Sequence, residues 1–237
     1  MQRFRDRRHA GRALAGRLAR YARRPDVVVL ALPRGGVPVA YEVARALGAP
    51  LDVLVVRKLG VPGHPELAMG AIAGGAVRVL NRAVLRQLRI DGVEVDRAVE
   101  AERRELHRRE RAYRGDRPVP EVAGRTVILV DDGLATGSTM LAAVTAVERQ
   151  HAARVVVAVP VASREARDAV ADAADEAVAV LVPQRLHGVG LWYEDFSQTG
   201  DDEVRRLLAD AWRQAAAEPP SAGAVESASA ARPGGVR

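Results

Sequence analysis

Apolar, β-branched runs of strand length recur along this chain, each followed by small or polar residues and then by a segment whose apolar positions repeat every three or four residues. The runs are 27–32, 51–56, 127–130, 154–160 and 177–182. Apart from Asp52 and Arg154 they are apolar rather than alternating, which predicts strands buried on both faces of a parallel sheet and joined by helical crossovers. The fold class that follows is α/β, an open doubly wound parallel sheet of about five strands.

Other stretches depart from this rhythm. Residues 1–24 carry nine arginines and one aspartate, with Leu14, Leu18 and Tyr21 on one helical face. They predict a short amphipathic helix that docks its leucines and leaves its arginines in water. Residues 60–75 hold five glycines and two prolines and predict a mobile loop that could contain a short strand, with His64 and Glu66 as conceivable acid or base groups. Residues 82–117 turn charged, with Glu/Arg pairs three or four apart, and predict a helical insertion. Residues 215–237, rich in Ala, Pro, Ser and Gly, predict a disordered tail, so the folded domain is expected over 1–214.

Composition narrows the class. A hydrophobic content of 48% is ample for one core, cysteine is absent, and no apolar run approaches membrane-spanning length. A cytoplasmic protein without membrane contact is expected. The formal charge is +6, and all but one of the 36 basic residues are arginine, Lys58 being the exception. Net positive charge suits either nucleic acid or a polyanionic substrate. The basic first helix is too short for an independent helix-turn-helix domain, and nucleic acid is not the expected partner.

The stretch with the most chemistry is Val127-Ile128-Leu129-Val130-Asp131-Asp132-Gly133-Leu134-Ala135-Thr136-Gly137-Ser138-Thr139-Met140. It reads as strand, loop, helix. Free backbone N–H groups at the start of such a helix attract phosphate, and Gly137 permits close backbone approach while Thr136, Ser138 and Thr139 add hydroxyls. Asp131 and Asp132 would repel a phosphate, but adjacent carboxylates accept hydrogen bonds from vicinal hydroxyls. A sugar phosphate satisfies both halves. Two further strand ends carry similar chemistry: Pro33-Arg34-Gly35-Gly36 after the first run, where a guanidinium can take two phosphate oxygens at once, and Arg57-Lys58 after the second. In an open parallel sheet such ends share one edge.

The Asp-Asp stretch resembles the phosphoribosyl pyrophosphate (PRPP) motif of type I phosphoribosyltransferases, and Phe4-Arg5-Asp6-Arg7-Arg8-His9-Ala10-Gly11 resembles the start of a little-characterised bacterial group of predicted phosphoribosyltransferases. The resemblance implies a transferase that moves the 5-phosphoribosyl group of PRPP to a nitrogen acceptor, a nucleobase as in salvage of purines or pyrimidines, with release of pyrophosphate. It implies the ribose diol on Asp131 and Asp132, the 5′-phosphate on Ala135 to Thr139, and pyrophosphate against Arg34, Gly35, Gly36, Arg57 and Lys58. Asp131, Asp132, Arg57 and Lys58 then carry catalysis. It further implies Mg2+ held chiefly through PRPP with Asp195 near it, a hood segment at 183–200 in which Trp192 or Tyr193 stacks on the base, a closing loop at 60–75, and a homodimer. Ala135 stands where 6-oxopurine enzymes carry an aspartate, which argues against hypoxanthine or guanine. The rival readings are a non-catalytic PRPP-binding regulator that could act on nucleic acid, and a phosphate-ester hydrolase, for which no nucleophile with a paired base is visible.

Overall fold

The computed structural model describes residues 3–74 and 77–217, excepting the side chains of Pro65 and Glu66. Its centre is a five-stranded parallel sheet made of β1 (Val27–Ala31), β2 (Leu51–Val53), β6 (Thr126–Val130), β7 (Arg154–Val161) and β8 (Glu176–Leu181). The spatial order is β2-β1-β6-β7-β8. Every neighbouring pair is parallel, with Val27 to Ala31 in register against Thr126 to Val130. β1 and β6 are buried at every position, as unbroken apolar runs require.

Helices cover both faces. α1 (Arg7–Arg17), α2 (Gly36–Leu47), α4 (Gly92–Arg114) and α7 (Asp201–Ala217) enclose one core with β1, β2 and β6. α5 (Ser138–Glu148) and α6 (Arg164–Ala171) enclose the other with the opposite sides of β1, β6 and β7. The crossover through α2 runs from β1 outward to β2, whereas the chain after β6 runs the other way to β7 and β8. The order therefore reverses between β1 and β6, where the loops after both strands splay apart and leave room for a ligand. Leu14, Leu18 and Tyr21 are buried as their spacing predicts. No helix of the described residues is long and apolar enough to cross a membrane.

Two expectations are corrected. The apolar run 51–56 is not one strand: β2 stops at Val53, and Val56 opens β3 (Val56–Val61) in a second, antiparallel sheet with β4 (His64–Ala73) and β5 (Val77–Leu80). Leu51, Val53, Leu54 and Val55 are all buried across the break, so hydrophobicity does not mark the switch. The glycine-rich stretch expected as a mobile loop is largely β4. Its glycines serve contact: a Cβ on Gly70 would collide with the Val79 carbonyl of β5. This small sheet, rather than the stretch 183–200 expected for it, is the hood; it packs against α4 and α5.

The charged stretch after β5 folds as α3 (Arg82–Gln87) and α4, the latter opened by a reciprocal cap between Asp91 and Glu94. The α1 arginines are less free than expected. Arg8 and Arg12 approach the buried Glu42 of α2 at 3.6 and 3.4 Å. Of the expected tail, 215–217 are the end of α7 and 218–237 lie outside the described residues.

Candidate active site

The loops after β1 and β6 meet edge to edge. Leu32 donates its N–H to the Val130 carbonyl at 2.8 Å, which brings Pro33-Arg34-Gly35-Gly36 over Asp131 and Asp132. A Cβ on Gly36 would stand 2.7 Å from the Val130 oxygen and 3.0 Å from the Asp131 Cα, and one on Gly35 would overlap Asp132 Oδ2. Both glycines are thus required by the acid pair beneath them, before any ligand arrives. The Pro33–Arg34 peptide is cis. Arg34 Nη1 lies 3.8 Å from the half-exposed Asp201 carboxylate.

The helix starts divide into two kinds. α1, α3, α4 and α6 are each capped by a side chain, from Asp6, Asn81, Asp91 and Ser163. α2 and α5 begin at Gly35 and Gly137 without a side-chain cap. The first-turn N–H groups of α5 lack intrahelical partners and remain available to an anion at the switch point, whereas in α2 Gly36 and Val37 donate to the Leu32 and Arg34 carbonyls at 3.1 Å and Pro38 has no N–H. Gly137 has φ of +74°, a conformation that admits glycine freely. Ala135, Thr136 and Ser138 are exposed, and the Thr136 and Ser138 hydroxyls lie 3.1 Å apart. Ser163 Oγ donates to the Ala135 carbonyl at 2.8 Å and so anchors the loop to α6.

Electrostatics single out the acids. Burial, and then the neighbouring Asp132 charge, hold the Asp131 carboxyl well above the usual carboxylate range, against the pull of the Asp132 N–H that it accepts at 2.8 Å. Burial also raises Asp132, opposed by Arg7. Arg7 Nε donates to Asp132 Oδ2 at 2.9 Å, with the two side chains only 11% and 17% exposed. Arg7 Nη1 donates to the Ser197 carbonyl at 2.7 Å, and its guanidinium lies 4.0 Å from the Phe196 ring centroid. The Tyr193 hydroxyl donates to the Asp132 carbonyl at 2.6 Å.

A family model described as a phosphoribosyl transferase domain matches residues 5–180. A Mycobacterium tuberculosis protein provisionally named a phosphoribosyl transferase is 47% identical over 228 residues, 96% of this chain and 50% of that protein. The chain belongs to the phosphoribosyl transferase domain family. It spans about half the length of the curated relatives it matches. The crystal structure of TT1426 from Thermus thermophilus is 48% identical, covers 88% of this chain and 99% of its own, and superposes with a TM-score of 0.80.

Within this phosphoribosyl transferase domain the expected residues fall into three groups. Asp131, Asp132, the loop Ala135 to Thr139 and the loop Arg34 to Gly36 converge between β1 and β6. Arg57 and Lys58 do not act as a pair, because neighbouring positions on β3 point to opposite faces. Arg57 turns to α4, where its Nε and Nη2 hold Glu102 Oε2 at 2.7 and 2.6 Å. Lys58 faces α5 across a cavity of about 210 Å³ that it lines with Gly70, Asn81, Ser138 and Thr145, the Ser138 that also belongs to the loop Ala135 to Thr139.

The third group does not present the surfaces expected of it. Trp192 and Tyr193 are only 8% and 3% exposed and pack with Phe4, Ala10 and Val161, so neither offers an open face to a base. Phe196 and Leu191 are the exposed apolar side chains of that segment. Asp195 is exposed and accepts the Ser197 N–H at 2.9 Å, a bond that lowers its carboxyl below the usual range. Among the described residues no three His, Asp or Glu side chains cluster to hold a metal. These donors fit a cation that brings most of its ligands from substrate oxygens. The Glu66 side chain lies outside the described residues.

Arg7 is the residue that sequence reasoning missed. It lies seven and eleven positions before Leu14 and Leu18, on the same buried stripe as Ala10. An arginine at a core-facing helical position signals a buried acid partner.

Proposed function

We propose that the domain transfers the 5-phosphoribosyl group of PRPP to a ring nitrogen of a nucleobase-like acceptor. The bond from the anomeric carbon to pyrophosphate breaks with its electron pair leaving on pyrophosphate, a carbon–nitrogen bond forms, and the acceptor nitrogen sheds its proton to solvent. The observation that carries this reading is the meeting of the uncapped α5 start and the Arg34–Gly36 loop over one buried acid pair. An anion site at α5 and a loop that carries a guanidinium, with the acid pair beside both, suit the two ends of PRPP.

Asp131 and Asp132 take the ribose hydroxyls and oppose the positive charge that builds on the ring. The N–H groups of Ser138 and Thr139, with Thr136, take the 5′-phosphate. Gly35, Gly36 and Arg34 take pyrophosphate, and Lys58 neutralises it from the hood side. Asp131 and Asp132 would help to hold a Mg2+ that arrives with PRPP, and when bound it would supply further charge neutralisation of the leaving group. The stretch 183–200, with Phe196 and Leu191 exposed, borders the acceptor side. A homodimer acting in the cytoplasm is part of this reading, and salvage of a base its setting.

A second reading, a PRPP-binding regulator without turnover, is favoured by one observation: Arg57 is committed to Glu102 and lends no charge to pyrophosphate. Calorimetric titration with Mg2+-PRPP, on the native chain and on Asp132→Asn, tests the binding half. We expect the variant to fold and to bind about 10- to 100-fold more weakly, the loss of hydrogen bonds to a charged acceptor. Unchanged affinity removes the diol role. Pyrophosphate release on adding a panel of nucleobases then separates transferase from regulator.

A further inference from the structure

The amino-terminal segment is built into the ribose site. Phe4 N–H donates to the Trp192 carbonyl at 2.8 Å, and the Glu194 and Asp195 N–H groups donate to the Phe4 and Arg5 carbonyls at 2.8 Å each. Residues 4 and 5 thus run alongside 192–195 as a short parallel bridge, with the Phe4 ring in the cluster of Trp192 and Tyr193. Asp6 then caps α1 by accepting the His9 N–H at 2.6 Å, which fixes the helix start. Arg7 follows at once, held on three sides by the Phe196 ring, the Ser197 carbonyl and Asp132 Oδ2.

We propose that Arg7 is a positioning residue of the ribose site, clamping Asp132 through Oδ2 against Gly35 so that Oδ1 stays turned to the substrate's hydroxyls. Gly35 leaves no room on one side of Oδ2 and Arg7 occupies the other, so the carboxylate has one orientation. The charged and titratable groups that face it are Arg7 from α1, Asp131 beside it and the Tyr193 phenol, whose hydroxyl is spent on the Asp132 carbonyl. Arg7 is the cation among them. It opposes the rise that burial imposes on the second carboxyl beside the first.

The inference rests on the reading that Asp132 takes the ribose diol, and the experiment keeps the two apart. The Asp132 carboxyl is followed by carbon-detected NMR against pH in the ligand-free full chain, assigned with Asp132→Asn, in native, Arg7→Gln, Arg7→Lys and Arg5→Gln proteins. Calorimetry with Mg2+-PRPP is run on the same four proteins across pH 6 to 9. Arg5, whose side chain is exposed, serves as the control.

Arg7→Gln is expected to move the Asp132 titration to higher pH and to weaken PRPP binding by about 10- to 100-fold, most at the acid end of the range. Arg7→Lys, which keeps charge without the planar fork, restores the titration and part of the affinity. An Asp132 titration indifferent to Arg7→Gln overturns the proposal, whatever happens to affinity. So does a shifted titration with native PRPP affinity. If the native chain binds no PRPP, the reading as a phosphoribosyltransferase falls by itself, and the ligand-free titration still decides whether Arg7 holds Asp132. Should Arg7→Gln fail to fold, Arg7→Lys carries the comparison, and a native titration and full PRPP affinity in it overturn the planar-fork clamp.

Discussion

Two arginine–carboxylate pairs flank β1, and they are opposites in use. On the β2 side, Asp52 Oδ1 accepts Arg114 Nε at 2.7 Å and the Val53 N–H at 2.6 Å, while Arg114 also reaches the Val53 carbonyl and, at 3.5 Å, Glu110. The two side chains are 4% and 9% exposed. On the β6 side, two acids share one arginine, and among the described residues Asp132 Oδ1 has no protein partner. Burial raises Asp52, Asp131 and Asp132 alike. The Asp52 pair is internally satisfied and links α4 to the sheet. The Asp131–Asp132 pair has one cation for two carboxyls.

The contrast can be broken from either side. The largest effect is expected from Arg114→Ala, which strands a buried carboxylate and costs about 3–5 kcal/mol of stability in chemical denaturation. The surviving folded protein should keep native PRPP affinity; a selective loss of binding would make this pair part of the site. Next comes Gly35→Ala. Its methyl displaces Asp132 Oδ2, so PRPP affinity should fall sharply while stability drops by about 1–3 kcal/mol, as for other overpacked positions. Native affinity in that variant would show that Asp132 can turn without loss.

The smallest effect is a gain. The Asp131 carboxyl titrates above its unfolded value of about 3.9, so the proton it retains favours the fold at low pH, and that contribution is lost as pH rises through the folded value. Asp131→Asn removes the penalty. It should therefore raise stability by about 1 kcal/mol at pH 8 and by nothing near pH 4, while abolishing PRPP binding. Equal melting shifts at both pH values would mean that the acid is not the strained member of the pair.

The site was legible where its residues are contiguous and lie at strand ends. Asp131 to Thr139 and Pro33 to Gly36 each keep strand, loop and helix start within one short stretch, so the local pattern states both position and chemistry. Arg57-Lys58 misled because adjacency in sequence means opposite faces on a strand, and only the presence of β3 reveals that. Gly70 looked like loop composition because a missing side chain serves a tight sheet contact and a flexible turn equally well. Trp192 and Tyr193 were visible as a cluster, but their partner Phe4 lies at the far end of the domain, and burial by so distant a segment leaves no local trace. Arg7 shared that fate, although its place on the Leu14 stripe was there to read.

The bridge between the two ends of the domain also sets when the site comes into being. Arg7 leaves the ribosome first, and the Ser197 carbonyl that holds it follows 190 residues later. At roughly 5–20 residues per second that interval is about 10–40 s. A nascent chain therefore displays the Asp-Asp motif well before Arg7 can reach the Phe196 ring and the Ser197 carbonyl, and a product cut short before residue 192 carries the motif without those contacts. Emergence of the 192–197 segment is the step that lets the first helix lock onto the far end of the domain.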